Sequence, residues 1–269
     1  MWHGAVFFDY DGTLVDKKQG VLSPTAGTQE AIEQLGKSGY LAILCTGRAL
    51  CYIPEKAKNL AFDGWITNNG AYAKMGGNVL FNEQLDLELV RSFTQACEKQ
   101  NISYLLEGPD ACYYRALSPA FEEFLRRFDI HSENFYPIEQ AENWNFNKMI
   151  IAYDKQGQEI EIEREFGDRL VLDRHVQFTS CDVSQKGVNK GTGVKQFLAQ
   201  MDLPLESAYA IGDSDNDLEM IKAAGTGIAM AQHSPRLGKV ADYGTDSVKK
   251  DGVAKALAHF RLVPHPLFR

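Results

Sequence analysis

Ala5-Val6-Phe7-Phe8-Asp9-Tyr10-Asp11-Gly12-Thr13 is an unbroken apolar run that stops on an acidic turn. Four apolar residues without alternation suit a strand buried on both faces, as in a parallel sheet covered by helices. The carboxylates that follow then stand at the carboxyl end of that strand, where open α/β sheets bind ligands. Two carboxylates this close repel unless a cation lies between them or one is protonated. Asp9 and Asp11 therefore predict a divalent metal, an acid/base couple, or both. Alone, the pentapeptide also fits a solvated strand-end turn.

Working outward, the chain keeps a strand–helix rhythm. Ser23-Pro24 offers an N-cap and an N1 proline for a helix whose apolar positions are Ala31, Ile32 and Leu35, closed by Gly36 and Gly39. Leu41–Cys45 and Gly64–Thr67 read as the next strands, and Gly76-Gly77 as a tight hairpin between Tyr72–Met75 and Asn78–Phe81. The rhythm returns with a helix from Lys190, a strand at Ala208–Ile211, a helix at Leu218–Ala224, a strand at Gly227–Met230 and a last helix at Val253–Phe260. The middle differs. Helices at Asp86–Gln100, Pro119–Phe128 and Glu159–Phe166 alternate with strands at Tyr104–Leu106, Cys112–Tyr114, Lys148–Tyr153, Leu170–Leu172 and Val176–Thr179. Hairpins and helices without the βαβ order predict a separate α+β domain. The expected organisation is an α/β core of residues 1–82 and 186–269 with residues 83–185 inserted.

Composition narrows the function. With 269 residues, 44% of them hydrophobic, the chain can bury a substantial core. Its 28 basic residues against 36 acidic ones give a net charge of −8, and no basic run is long enough to track a phosphate backbone, so nucleic acid is not the expected partner. No apolar run approaches the ~20 residues of a membrane span. Met1-Trp2-His3-Gly4 lacks the basic start of a secretory signal, and the five cysteines form no CxxC, so a cytoplasmic setting with reduced thiols is expected.

Two further constellations follow predicted strands, and a third residue opens a helix. Asp213-Ser214-Asp215-Asn216-Asp217 is a second acidic cluster at an equivalent strand end. An EF-hand is excluded, because Leu218 stands where the loop needs glycine and Ala224 where it needs glutamate. Two acidic strand ends in one sheet are better explained by one shared, oxygen-rich magnesium site. Thr46-Gly47-Arg48 places a hydroxyl and a glycine amide where a phosphate oxygen needs donors. Lys190 opens the returning helix. A P-loop, a zinc motif, a dinucleotide fingerprint and a GxSxG elbow are absent.

In this order the chain resembles the haloacid dehalogenase superfamily: Asp9–Thr13 matches its first motif, Thr46 its second, Lys190 its third and Gly212–Asp217 its fourth. Asn68-Asn69-Gly70-Ala71 and Asp251-Gly252-Val253-Ala254 resemble its Cof-type branch, subfamily IIB. The resemblance implies a Rossmann-like parallel-sheet core with an inserted α+β cap of the C2 type. It also implies a magnesium-dependent phosphatase acting on small phosphorylated metabolites such as sugar phosphates. On it, Asp9 is the nucleophile and Asp11 the acid/base. Magnesium is held by Asp9, Asp213 and the Asp11 carbonyl, with Asp217 behind them. Thr46, Gly47, Lys190 and Asn216 bind the phosphoryl oxygens. A phosphosugar mutase on the same core, and a non-catalytic phosphometabolite-binding module, are the alternatives.

Overall fold

The apolar run forms β1 (Gly4–Phe8), buried along its whole length. The computed structural model describes residues 2–128, 130, 133–175 and 178–264. After β1 come α1 (Ala26–Lys37), β2 (Tyr40–Cys45), α2 (Glu55–Lys58), β3 (Gly64–Thr67), β4 (Tyr72–Met75) and β5 (Asn78–Asn82). The middle of the chain forms α3 (Leu87–Lys99), β6 (Ser103–Glu107), β7 (Cys112–Tyr114), α4 (Pro119–Phe128), β8 (Phe135–Pro137), β9 (Lys148–Ala152), α5 (Gln158–Phe166), β10 (Leu170–Arg174) and β11 (Ser180–Gln185). The last third forms α6 (Lys190–Gln200), β12 (Ala208–Gly212), α7 (Leu218–Ala223), β13 (Thr226–Ala229), β14 (Tyr243–Gly244) and α8 (Gly252–His259).

These elements divide into two units: residues up to Gly47, Ile53–Phe81 and those from Asn189 onward form one, and Arg48–Tyr52 with Asn82–Val188 form the other. The first unit is an α/β layer with strand order β14-β13-β12-β1-β2-β3-β4-β5. Pairing is parallel from β14 to β3 and turns antiparallel at β4. Successive strands β1 and β2 lie on one side of a reversal in strand order, and β12 on the other. Register brings Phe8 level with both Ile211 and Leu44, so the carboxyl ends of β12, β1 and β2 open at one height. Phe7 packs edge-on against Phe197 of α6, with ring centroids 5.7 Å apart. Burying such a ring contributes about 1.5–3 kcal/mol and seats α6 on the sheet. Helix α1 starts later than Ser23-Pro24 suggests, because the Thr25 hydroxyl accepts the Thr28 amide at 3.3 Å and is the cap that forms.

The second unit is a six-stranded sheet of order β10-β11-β9-β6-β7-β8, antiparallel except between β7 and β8. Helices α3 and α5 cover one face through Val90, Phe93, Ile162 and Phe166, packed on Leu106, Met149 and Ile151. Phe121, Phe124 and Leu125 of α4 pack with Leu105, Ile150 and Ala152 of the other face, joined there by Ala49 and Tyr52. The expected strand at Val176–Thr179 is not what pairs here. Val176 and Gln177 lie outside the described residues, Phe178 and Thr179 form a bend, and the strand is Ser180–Gln185. Its polar residues read as loop, yet Asp182 sits 2.8 Å from the Lys148 ammonium, which is itself 3.0 Å from Glu107. This buried triad lets polar side chains occupy a central strand. Lys148→Met is expected to cost about 3–5 kcal/mol in denaturant unfolding, because it removes the cation that Glu107 and Asp182 share. A cost below about 1 kcal/mol would show that the charges reach water. Among the described residues no helix is long and apolar enough to cross a membrane.

Candidate active site

The site is built where four strands of the first unit end. The Asp9 amide donates to Ile211 O at 3.0 Å, which ties the end of β1 to β12. The chain then turns back, with the Gly12 amide donating to Val15 O at 2.7 Å and Asp11 bridged to Val15. Gly12 has φ +99°, and a Cβ there would lie 2.3 Å from the Asp213 carboxylate. Only glycine both adopts this conformation freely and lets the first acidic loop approach the second. Gly12→Ala is therefore expected to lower kcat/KM by about 10²-fold, the scale of a 1 Å misplacement of catalytic groups. Thermal unfolding should change far less, and a near wild-type kcat/KM would show that the two loops need not meet.

Lys190 is the first residue of α6, capped by the Asn189 side chain on the Thr192 amide at 3.0 Å. Two close approaches seat this helix end: a Cβ on Gly70, which has φ +95°, would lie 2.1 Å from Asn189 O, and one on Gly193 would lie 2.8 Å from Gly70 Cα. The fully buried Lys190 ammonium donates to Asp9 Oδ1 and Asp217 Oδ1, both at 2.6 Å. Burial alone would lower this ammonium, but Asp217 and Asp9 hold it above the usual lysine range. Asp217 Oδ2 accepts the Asp213 and Ser214 amides at 3.0 and 3.1 Å. Asp217 is thus engaged through both oxygens, and it fixes the loop and the lysine together.

One oxygen from each of Asp9, Asp213 and Asp217 lies within 4.8 Å of the others. Asp9 Oδ2 and Asp213 Oδ1 are buried without a hydrogen-bond partner. Burial, then Asp217, pushes the Asp9 carboxyl up to about 7 against the pull of Lys190. Burial, Asp9 and Asp217 hold the Asp213 carboxyl well above the usual range, and Asp11 adds to the repulsion at both. Two orphaned carboxylate oxygens that repel each other, with no nitrogen or sulfur ligand among them, fit a hard divalent cation such as magnesium.

Thr46 and Gly47 leave β2 beside these carboxylates. The Thr46 amide donates to Ile66 O at 2.9 Å, and Thr46 O accepts the Asn69 amide at 3.2 Å. Asn216 Nδ2 donates to Asn69 Oδ1 at 3.3 Å and Ser214 Oγ to Asn216 Oδ1 at 2.7 Å. A Cβ on Gly47 would lie 2.8 Å from Asn69 Oδ1 and 3.6 Å from Asn216 Nδ2, so the glycine backbone lies against this amide pair. The structure therefore gathers Asp9, Asp11, Asp213, Asp217 and Lys190 around one group of carboxylates, and Thr46, Gly47 and Asn216 in one adjoining network. In the sequence Asn68-Asn69 carries part of the family resemblance, but nothing there points to a role for either residue. Both take left-handed backbone, with φ 53°. Asparagine tolerates that conformation, and two in a row after a buried strand signal a turn that aims a side chain.

Known proteins resemble this chain over most of its length. The chain is 27% identical over 97% of its length to a Streptococcus pyogenes protein whose name couples a phosphatase with a peptidyl-prolyl cis-trans isomerase, and it spans 55% of that relative's length. It is 26% identical to the phosphoglycolate phosphatase of Methanothermobacter thermautotrophicus, over 95% of this chain and 98% of the relative. The solved structure of a sugar phosphatase of HAD subclass IIB superposes with a TM-score of 0.83 at 27% identity, covering 97% of this chain and 100% of the other. A family model described as haloacid dehalogenase-like hydrolase matches residues 6–257, which contain the four motifs, and the chain belongs to that family.

Proposed function

We propose that the protein is a magnesium-dependent phosphatase that hydrolyses small phosphorylated metabolites through an aspartyl-phosphate. The observation that carries this reading is the pairing of Lys190 with Asp9 Oδ1 at 2.6 Å while Asp9 Oδ2 has no partner. Lys190 orients the carboxylate, and its second oxygen, free of protein partners, leaves the group able to meet a cation and the phosphoryl group. Asp9, Asp213 and the Asp11 backbone carbonyl, with Asp217 behind them, would hold magnesium, which would offset the repulsion among the carboxylates and the charge of the phosphoryl group.

The chain's own residues do the rest. Asp9 attacks phosphorus, and the leaving alcohol takes a proton from Asp11, which then takes one from the water that cleaves the acyl-phosphate. Lys190 orients Asp9 and, with the Thr46 hydroxyl, the Gly47 amide and Asn216, meets the negative charge spread over the phosphoryl oxygens. Residues 83–185 are assigned the choice of leaving group. Chelation of divalent ions should abolish phosphate release from sugar phosphates and from p-nitrophenyl phosphate, and magnesium should restore it. Full turnover after exhaustive chelation would refute the metal. Hexose-phosphate isomerisation without phosphate release would refute the phosphatase in favour of a mutase.

A further inference from the structure

Cys51 Sγ lies 3.4 Å from Cys112 Sγ, although the two residues are 61 apart in the chain. Cys51 sits in the short segment Arg48–Tyr52 that follows Gly47 and packs with the second unit, and Cys112 begins β7 of that unit. The segment is held in place beside β7: Asn134 Nδ2 donates to Cys51 O at 2.8 Å, and Tyr52 OH donates to Glu107. Cys51 is partly exposed, whereas Cys112 is fully buried. The remaining thiols do not share this arrangement: Cys45, Cys97 and Cys181 are buried, and Cys181 has Tyr153 OH as its neighbour at 3.6 Å.

We infer that Cys51 and Cys112 form a peroxide-oxidisable dithiol, a modification site on the segment that leaves the phosphate loop. The sulfurs need only close from 3.4 Å to the ~2.05 Å of a disulfide. In the first step the partly exposed Cys51 sulfur attacks one oxygen of hydrogen peroxide. The O–O bond breaks, the departing hydroxide takes the thiol proton, and Cys51 sulfenic acid and water result. In the second step Cys112 sulfur attacks Cys51 sulfur. The S–O bond breaks, and hydroxide leaves with the Cys112 proton as a second water. Two thiols lose two electrons and the peroxide gains them. Burial, with Cys51 alongside, holds the Cys112 thiol well above the usual range, which suits the resolving role better than the first attack. The disulfide ties residues 48–52 to β7. Gly47, one bond away, loses freedom with them, so oxidation slows turnover. That last step rests on the proposed function, whereas the disulfide does not.

The test treats the whole, magnesium-loaded protein with hydrogen peroxide and reads three quantities. Thiols titrated in denaturant should fall from five to three. Tryptic peptides 49–56 and 100–115 should be recovered linked, with the loss of two hydrogens. Turnover of p-nitrophenyl phosphate should fall several-fold and return with dithiothreitol, while Cys51→Ser and Cys112→Ala should show neither link nor loss. Peroxide that leaves Cys51 as sulfenic or sulfinic acid, or links it to any other cysteine, overturns the dithiol, and this arm uses wild-type protein only. Linked peptides with unchanged turnover overturn the control of catalysis.

Discussion

Asp9→Asn is expected to lower phosphomonoester turnover by about 10⁴-fold or more, the scale on which removal of a nucleophile acts. The substitution keeps the side-chain shape and one acceptor for Lys190, whose second partner, Asp217, is untouched. Folding should survive, so circular dichroism and unfolding midpoints close to wild type would accompany the lost activity. The contrast with Asp11→Asn makes the assignment specific. That variant keeps the nucleophile, so it should still capture a labelled phosphoryl group and then release it slowly, whereas Asp9→Asn should capture none. Near wild-type hydrolysis by Asp9→Asn would remove the aspartyl-phosphate from consideration, whatever the fate of the metal.

Lys190→Met should be damaging in two ways at once. It removes the ammonium that Asp9 and Asp217 share at 2.6 Å each, and leaves both carboxylates buried beside Asp213. Breaking one partner out of a buried ion cluster costs about 3–5 kcal/mol, and turnover should fall by about 10³-fold with the lost charge at the phosphoryl group. The sign of the pH dependence follows from the neighbours. Asp9 sits near 7 even with the lysine present. Without it, Asp9 relieves the repulsion by holding its proton to still higher pH, so the variant's deficit in stability should shrink on acidification and be greatest in alkaline buffer. A deficit independent of pH would mean that lost packing, rather than stranded charge, explains the damage.

The candidate site residues were legible to the extent that they interrupt a local pattern. Asp9 and Asp213 end apolar runs, where a carboxylate is costly unless it has a use. Lys190 opens a helix immediately before the α/β rhythm resumes. The edges of that reading blurred where long-range pairing outweighs local preference. Ser180–Gln185 reads as polar loop, yet it is a central strand because Lys148, far away in the chain, neutralises Asp182. The role of Asn69 depends on Gly47 and Asn216, brought together only when β2, β3 and β12 share a sheet. Tyr243–Gly244 is too short for any period to show, and pairs only as the edge neighbour of β13.

Arg48–Tyr52 makes the inserted unit harder to exchange than its place in the chain suggests. Ala49 and Tyr52 are buried among Leu105, Phe121 and Ile150, and Tyr52 donates to the buried Glu107. A chimera that transplants only Asn82–Val188 into a related scaffold would leave part of that hydrophobic cluster behind and open a cavity the size of a tyrosine ring. The exchangeable module is discontinuous, so recombination between relatives should succeed when crossovers carry residues 48–52 together with 82–188, and fail by misfolding when they do not. The same five residues tie inheritance of the insert to inheritance of the Thr46-Gly47 turn that precedes them, which restrains how freely a new insert can be acquired by shuffling.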